Sequence, residues 1–306
     1  MHPSVKSDNE HPEARLFGEL DRCARRERLV PPVVRALNRY RADAPPGEWR
    51  DTVGRLRSHP VVMRLYEDPY TSWGFRKPRG YAGDAVLLDF VYGGGTCKPL
   101  LTGLSPFAGA VNRDLIQHAA SAALRARRDF LGDRLAEALA SKQRPHVLAV
   151  ACGHLREAAS LNPASPRPGR FVALDQDPDT LAVALADHPM LPIEPIRASV
   201  LSLLRGGRDI GTFDFIYSAG LYDYLSEETG RRLTTKLAHM LAPGGSLLIA
   251  NMMPDLSGAG YMEGVMDWWL IYRTVREVRK LSAGLAQDYK VRVFTRPFTA
   301  YLEISR

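Results

Sequence analysis

Four short segments in the second half of the chain carry the residue types that can hold a nucleoside. The first reads Val147-Leu148-Ala149-Val150-Ala151-Cys152-Gly153-His154-Leu155-Arg156-Glu157. Ala151 and Gly153, on either side of Cys152, are small enough for the backbone to approach a ligand, and the helix that should follow offers free N–H groups. The second segment ends Ala173-Leu174-Asp175-Gln176-Asp177-Pro178. The carboxylate of Asp175 can accept the hydrogens of both ribose hydroxyls, whereas Asp177, directly before a proline, suits the start of a helix. The third ends Arg197-Ala198-Ser199-Val200, where a hydroxyl and a backbone N–H can meet a purine edge. The fourth is Tyr217-Ser218-Ala219-Gly220-Leu221-Tyr222-Asp223-Tyr224. An ordinary tight turn accounts equally well for the first or the third segment alone, and the G-x-G-x-x-G of a dinucleotide-binding turn is missing.

Elements must hold these segments in place. Short apolar runs at His146–Ala151, Phe171–Leu174, Ile193–Ile196, Phe213–Tyr217 and Ser246–Ala250 alternate with helical stretches, the pattern of βαβ units and a parallel sheet. Lys290–Phe294 and Thr299–Ile304, joined through Arg296-Pro297, predict two further strands. In such a sheet ligands bind at the carboxyl ends of the strands, which is where the four segments fall. Residues 1–143 read instead as helix and loop, with helical periodicity through Glu13–Ala24, Val33–Tyr40, Val61–Tyr66 and Asn112–Ala140. The expected organisation is thus an α/β domain over 144–306, a doubly wound sheet, preceded by a helical annex over 1–143 with its junction at Ser141–Arg144. Between Asp68 and Phe107 the Gly- and Pro-rich texture predicts a structured loop, and its 74–95 portion reads as a lid.

The order and spacing of these segments, and above all Leu241-Ala242-Pro243-Gly244-Gly245-Ser246-Leu247-Leu248-Ile249-Ala250-Asn251, resemble the class I S-adenosylmethionine (SAM)-dependent methyltransferases. The resemblance covers about residues 146–306. It implies a seven-stranded, mostly parallel sheet with SAM as cofactor across the ends of the first, second and fourth strands. Carried over residue by residue, it makes Ala151, Cys152, Gly153, Asp175, Gln176, Ser199, Val200, Ser218, Ala219 and Gly220 the cofactor-binding positions. The chain departs from the family's acidic-x-G-x-G-x-G turn: Ala149 stands for the acid, Ala151 for the first glycine and Leu155 for the third. Arg156 or Arg113 is then a possible cation for the cofactor's carboxylate.

Two further segments, Lys77-Pro78-Arg79-Gly80-Tyr81-Ala82-Gly83-Asp84 and Gly260-Tyr261-Met262-Glu263-Gly264-Val265-Met266-Asp267-Trp268-Trp269-Leu270-Ile271-Tyr272-Arg273, are similar to a bacterial subgroup. It includes the 3-hydroxypalmitate methyl ester synthases and enzymes that cyclise SAM to azetidine-2-carboxylate. That likeness implies methyl transfer to a small-molecule or acyl-chain acceptor in secondary metabolism or signalling, or, alternatively, cyclisation with release of methylthioadenosine. A non-catalytic SAM-binding protein is a third reading, drawn from the lost glycines. A sulfonium has no N–H donors, so aromatic faces such as Tyr81, Tyr222 and Tyr224 suit it. Tyr81, Asn112 and Tyr222 are the expected catalytic positions, and His154 or Asp223 the expected base for a hydroxyl acceptor. In the 260–273 segment, Met262, Met266 and Trp269 read as a buried stripe, with Trp268, Tyr272 and Arg273 facing elsewhere.

Composition restricts the classes that remain. Of the 306 residues 41 are Lys or Arg and 34 Asp or Glu, a net charge of +7. Residues 1–143 hold 23 basic and 17 acidic side chains against 18 and 17 in 144–306, so the excess lies in the annex. The Arg22–Arg28 run alternates with acids and has no interleaved aromatics, which argues for a solvated helix face over a nucleic-acid surface. Cys23, Cys97 and Cys152 have no metal-ligand or disulfide spacing, and no apolar run reaches the roughly 20 residues of a membrane span. Met1–Asp8 lacks the apolar core of a signal peptide, and the expected compartment is the cytoplasm.

Overall fold

The structure is a computed structural model that describes residues 11–26, 28–162, 166–206 and 209–306. It divides into two compact units, one formed by the described residues up to 122 with 257–269, the other by 123–256 with 270–306. This differs from a division at 143.

The first unit is helical: α1 (Pro12–Cys23), α2 (Val30–Asp43), α3 (Pro46–Leu56), α4 (Pro60–Leu65), α5 (Pro69–Arg76), α6 (Ala85–Tyr92), α7 (Pro106–Gln117) and the start of α8 (Ala119–Ala140). Local chemistry sets the helix starts. Proline occupies the first turn of α1 to α5 and of α7, where its missing N–H costs nothing. The side chains of Asp68, Asp84 and Ser105 cap α5, α6 and α7. The 68–107 segment is accordingly not a loop. Its caps and the apolar Ala85–Val91 run make helices, Lys77 and Gly93 end them in left-handed conformations, and the irregular part of 74–95 shrinks to residues 77–84 and 93–94. The single helical stretch expected over 112–140 is broken at His118, which is extended and whose Nδ1 accepts the Ala120 N–H at 3.2 Å.

The 257–269 segment leaves the C-terminal half of the sequence to join this unit. After α9 (Pro178–Asp187), α10 (Val200–Leu204) and α11 (Glu227–His239) of the other unit, this segment forms α12 (Ala259–Gly264), which crosses α2 at Gly260. A Cβ there would come within 2.7 Å of the Leu37 backbone. Glu263 accepts both guanidinium N–H groups of Arg41 (2.7 and 2.8 Å) and the Trp49 indole N–H at 2.7 Å. Because α12 stops at Gly264, the helical stripe does not extend to Trp269. Trp268 is the buried tryptophan, and Trp269 is half-buried under the guanidinium of Arg50, 4.8 Å from its ring centre.

The second unit is a seven-stranded sheet of β1 (His146–Val150), β2 (Arg170–Asp175), β3 (Ile193–Arg197), β4 (Phe213–Ser218), β5 (Leu241–Met252), β6 (Lys290–Arg296) and β7 (Thr299–Ser305), in the order β3-β2-β1-β4-β5-β7-β6. Strands β1 to β5 pair in parallel, and β7 runs antiparallel between β5 and β6. Successive residues face opposite sides, as strand geometry requires. Leu148, Val150, Val172 and Leu174 pack with Leu233 and Leu237 of α11 and with Val278 of α13 (Val275–Lys280). Val147, Ala149, Phe171 and Ala173 pack with Leu131, Leu135 and Leu139 of α8 and with Leu181 and Ala184 of α9. That leucine row is why most of α8 belongs with the sheet rather than with the helices before it.

Candidate functional site

The order of strands reverses between β1 and β4, and the carboxyl ends of those two strands and of β2 are level: Val150 pairs with Leu174, and Ala149 with Tyr217. In doubly wound sheets this crevice is where ligands bind. The chain after β1 makes a tight left-handed turn, with φ of +52° at Ala151, +57° at Gly153 and +52° at Leu155. Two of the three carry a Cβ, so the conformation must be held by its surroundings. It is held on both sides: the Cys152 N–H donates to the Leu174 carbonyl at 3.1 Å, and the Ser218 hydroxyl to the Val150 carbonyl at 3.0 Å.

Asp175 ends β2 beside this turn. Its carboxylate accepts the N–H of Gly153 at 3.0 Å and of Asp177 at 3.1 Å. Burial pushes its carboxyl above the usual range, opposed by those N–H groups. A carboxylate has about four acceptor positions, so capacity remains for hydroxyl donors, and the residues fit a ribose. Asp177 caps α9, accepting from the Asp179 N–H and the Thr180 hydroxyl. Ser199 caps α10 through the Ser202 N–H, the turn reading of that segment, with Val200 as the first residue of the helix. Gln176 is exposed, while Ala219 and Gly220 are half-buried after β4.

Several expected roles change. Tyr222 is fully buried in the sheet core, with its hydroxyl 3.1 Å from that of Thr234, so it packs the fold instead of facing the crevice. Tyr81 lies in the irregular 77–84 stretch of the helical unit. Asn112 is on α7 of that same unit, and its amide donates to Asp68 at 2.8 Å. Asp68 also accepts from Thr71, whose hydroxyl lies 2.8 Å from that of Tyr261. Tyr81 and Asn112 therefore belong to one unit and Tyr222 to the other. Arg156 pairs with Asp187, and its guanidinium stands 3.5 Å from the buried His154 ring. Arg273, expected to face away from the buried stripe, is itself buried and donates to the carbonyls of Tyr222 and Leu225 and to the Asn251 amide oxygen.

Three charged groups around the carboxyl end of β4 were not anticipated as a set. Glu157, on the short 3-10 turn Arg156–Ser160, accepts the Tyr217 hydroxyl at 2.6 Å. Arg127 on α8 is buried, and its Nη2 would lie 3.9 Å from a Cβ placed on Gly220. Asp223 is buried with its carboxylate on the Met252 N–H at 2.7 Å, and burial pushes its carboxyl up to about 6 against the pull of Arg127, that N–H and Arg273. Burial, helped by the charges of Asp175 and Glu157, also raises the Cys152 thiol well above its usual value, which disfavours the thiolate. Among the described residues no group of three or more His, Cys, Asp or Glu is arranged to hold a metal ion, and no helix is long and apolar enough to cross a membrane.

Residues 147–245 match the family profile described as a methyltransferase domain. No curated protein matches the sequence. Among solved structures, a possible exported protein from Bordetella parapertussis is similar over the whole chain, with 17% identity, 100% of this chain and 99% of that one covered, and a TM-score of 0.61. Magnesium protoporphyrin IX methyltransferase from Synechocystis with bound SAM matches at 14% identity over 62% of this chain and 84% of its own, with a TM-score of 0.43. The N-methyltransferase NodS from Bradyrhizobium japonicum in complex with S-adenosylhomocysteine matches at 17% identity over 62% and 89%, again with a TM-score of 0.43. The sheet order and the profile together define a class I methyltransferase, Rossmann-like α/β fold.

Proposed function

We propose that this chain is a SAM-dependent methyltransferase acting on a small-molecule or acyl-chain acceptor at a carboxylate or hydroxyl oxygen. The observation that supports it most is Asp175, a buried carboxylate with acceptor capacity to spare, next to a left-handed turn at the point where the strand order reverses. Bound SAM supplies an electrophilic methyl group on a sulfonium. The protein's own part is alignment, because displacement at a methyl carbon is in line and fixing the reactants removes much of its barrier. Asp175 holds the ribose, the 151–155 turn lets the backbone lie against the ligand, and Ser199 and Val200 border the adenine side. A carboxylate acceptor is ionised at neutral pH and needs no base; a hydroxyl acceptor needs one, and Asp223 is the carboxyl group on the turn after β4.

A second reading rests on one observation: the acid and two glycines of the family's first turn are replaced by Ala149, Ala151 and Leu155, the last two in left-handed conformation. With SAM as sole substrate, the α-amine nitrogen would bond to the γ-carbon as the carbon–sulfur bond breaks, its electrons leaving with methylthioadenosine. The products are azetidine-2-carboxylate and one proton. Purified protein incubated with SAM, with and without fatty-acid and hydroxy-acid acceptors, separates the readings by mass spectrometry. S-adenosylhomocysteine formed only with an acceptor supports methyl transfer. Methylthioadenosine formed from SAM alone above the spontaneous rate overturns it.

A further inference from the structure

We propose that Glu157 and Arg127 form a charge-matched clamp for the amino-acid end of the cofactor, Glu157 taking its ammonium and Arg127 its carboxylate. This rests on the methyltransferase reading and assigns residues to the part of the ligand that the altered first turn leaves unassigned. Ala149, at the family's acidic position, is wholly buried in the sheet with no polar group to offer.

Position carries the first part of the argument. Asp175 ends β2, while Tyr217, the partner of Glu157, lies at the end of β4, with β1 between them. Two strand spacings are about 10 Å, roughly the reach from a ribose to the far end of an attached amino acid. Purine on the β3 side of Asp175 leaves only the β1–β4 side for that end, which is where Glu157, Arg127 and Gly220 stand. Gly132 brings Glu157 there: a Cβ on this residue of α8 would come within 2.9 Å of the Glu157 carbonyl, so only glycine lets the 3-10 turn sit down on the helix.

Chemistry carries the second part. The Tyr217 hydroxyl occupies Oε1 of Glu157 from the sheet side and orients the carboxylate, which accepts further donors at its other positions. Arg127 is an arginine, with the planar donor fork that suits a carboxylate, and it is buried beside the loop after β4. Its charge pulls down the carboxyls of both Glu157 and Asp223, against the burial that raises them.

Calorimetry with S-adenosylhomocysteine and with methylthioadenosine, which lacks the amino-acid group, tests the clamp. The Glu157→Gln variant keeps the acceptor for Tyr217 and loses the charge. It should bind S-adenosylhomocysteine about ten- to a hundredfold more weakly and methylthioadenosine within about twofold of the wild type. Arg127→Met should show the same selective loss, with Arg127→Lys recovering part of it. Unchanged affinity in Glu157→Gln, or an equal loss for both ligands, overturns the clamp. Wild-type protein that binds both ligands equally overturns it while leaving a nucleoside site intact. Wild-type protein that binds neither overturns the methyltransferase reading itself and the clamp with it.

Discussion

The two edges of the parallel sheet treat charge in opposite ways. At the amino edge, Asp214 accepts the His146 N–H at 2.8 Å and pairs with Lys142 at 2.9 Å, and Arg170 pairs with Glu194 at 2.7 Å, Lys142 and Glu194 being the more exposed partners. Burial works to raise the Asp214 carboxyl, but the His146 N–H and Lys142 outweigh it and hold the group below its usual value. At the carboxyl edge Asp175, Asp223 and Arg127 are nearly inaccessible, and burial raises both carboxyls. Ion pairs in water add little to stability, whereas buried charges cost free energy unless something compensates. One edge is tuned for folding. The other keeps groups that folding alone disfavours, in keeping with the cofactor site proposed there.

The largest expected effect breaks this contrast at Asp223. Its carboxyl lies at about 6 in the folded protein, above the ordinary 3.8, so the fold favours the protonated form. The sign follows: at a pH below both values the group is neutral in either state and costs nothing. As pH rises past 4 and through 6 the wild type loses stability, by about 3 kcal/mol for two pH units. Asp223→Asn keeps an acceptor for the Met252 N–H and has no charge to ionise. Thermal melts at pH 4.5 and 7.5 should show the variant gaining on the wild type as pH rises; parallel curves would remove Asp223 from the set of disfavoured charges.

Next in size is Asp175. Replacing it with alanine should weaken SAM binding by about 1.5–3 kcal/mol, the range for a hydrogen bond to a charged group. Calorimetry below the variant's melting temperature measures this, and unchanged affinity would take Asp175 out of the site. Gly132→Ala sharpens the comparison through packing. Its Cβ would meet the Glu157 carbonyl and the Ser160 hydroxyl, so a loss of about 1–3 kcal/mol in stability is expected, together with weaker S-adenosylhomocysteine binding. The smallest effect is at the amino edge: Lys142→Ala should cost under about 1 kcal/mol in denaturant melts and leave SAM affinity unchanged.

Much of the carboxyl edge was legible before any fold was in view. Asp175 follows a strand-like run and precedes Gln176-Asp177-Pro178, so both its place at a strand end and the helix after it are written locally. Glu157 was visible as a residue but not as a group, because only the 3-10 turn and Gly132 bring it to Tyr217. Arg127 sits in a run with Arg125 and Arg128 and looks like any of them; burial beside Gly220 is what separates it. Tyr222 failed the other way, since a Tyr-x-Tyr after a strand reads as exposed aromatics while the chain turns the first ring into the core.

What the sequence by itself determined is the alternation of strands and helices over 146–305; the caps that start the helices of the first unit are as local, although their apolar runs between 68 and 107 read as a loop. Strand alternation, apolar runs and capping residues act over a few positions, so the information for them is adjacent along the chain. What only the tertiary structure decided is which unit each distant segment joins and which charges meet. Residues 257–269 follow β5 in sequence, yet they pack on α2 through Gly260 and Glu263. The gathering of Arg127, Glu157, Asp175 and Asp223 at one edge arises in the same way. Those residues span nearly a hundred positions, and only the order in which strands pair, with α8 laid along one face, makes them neighbours.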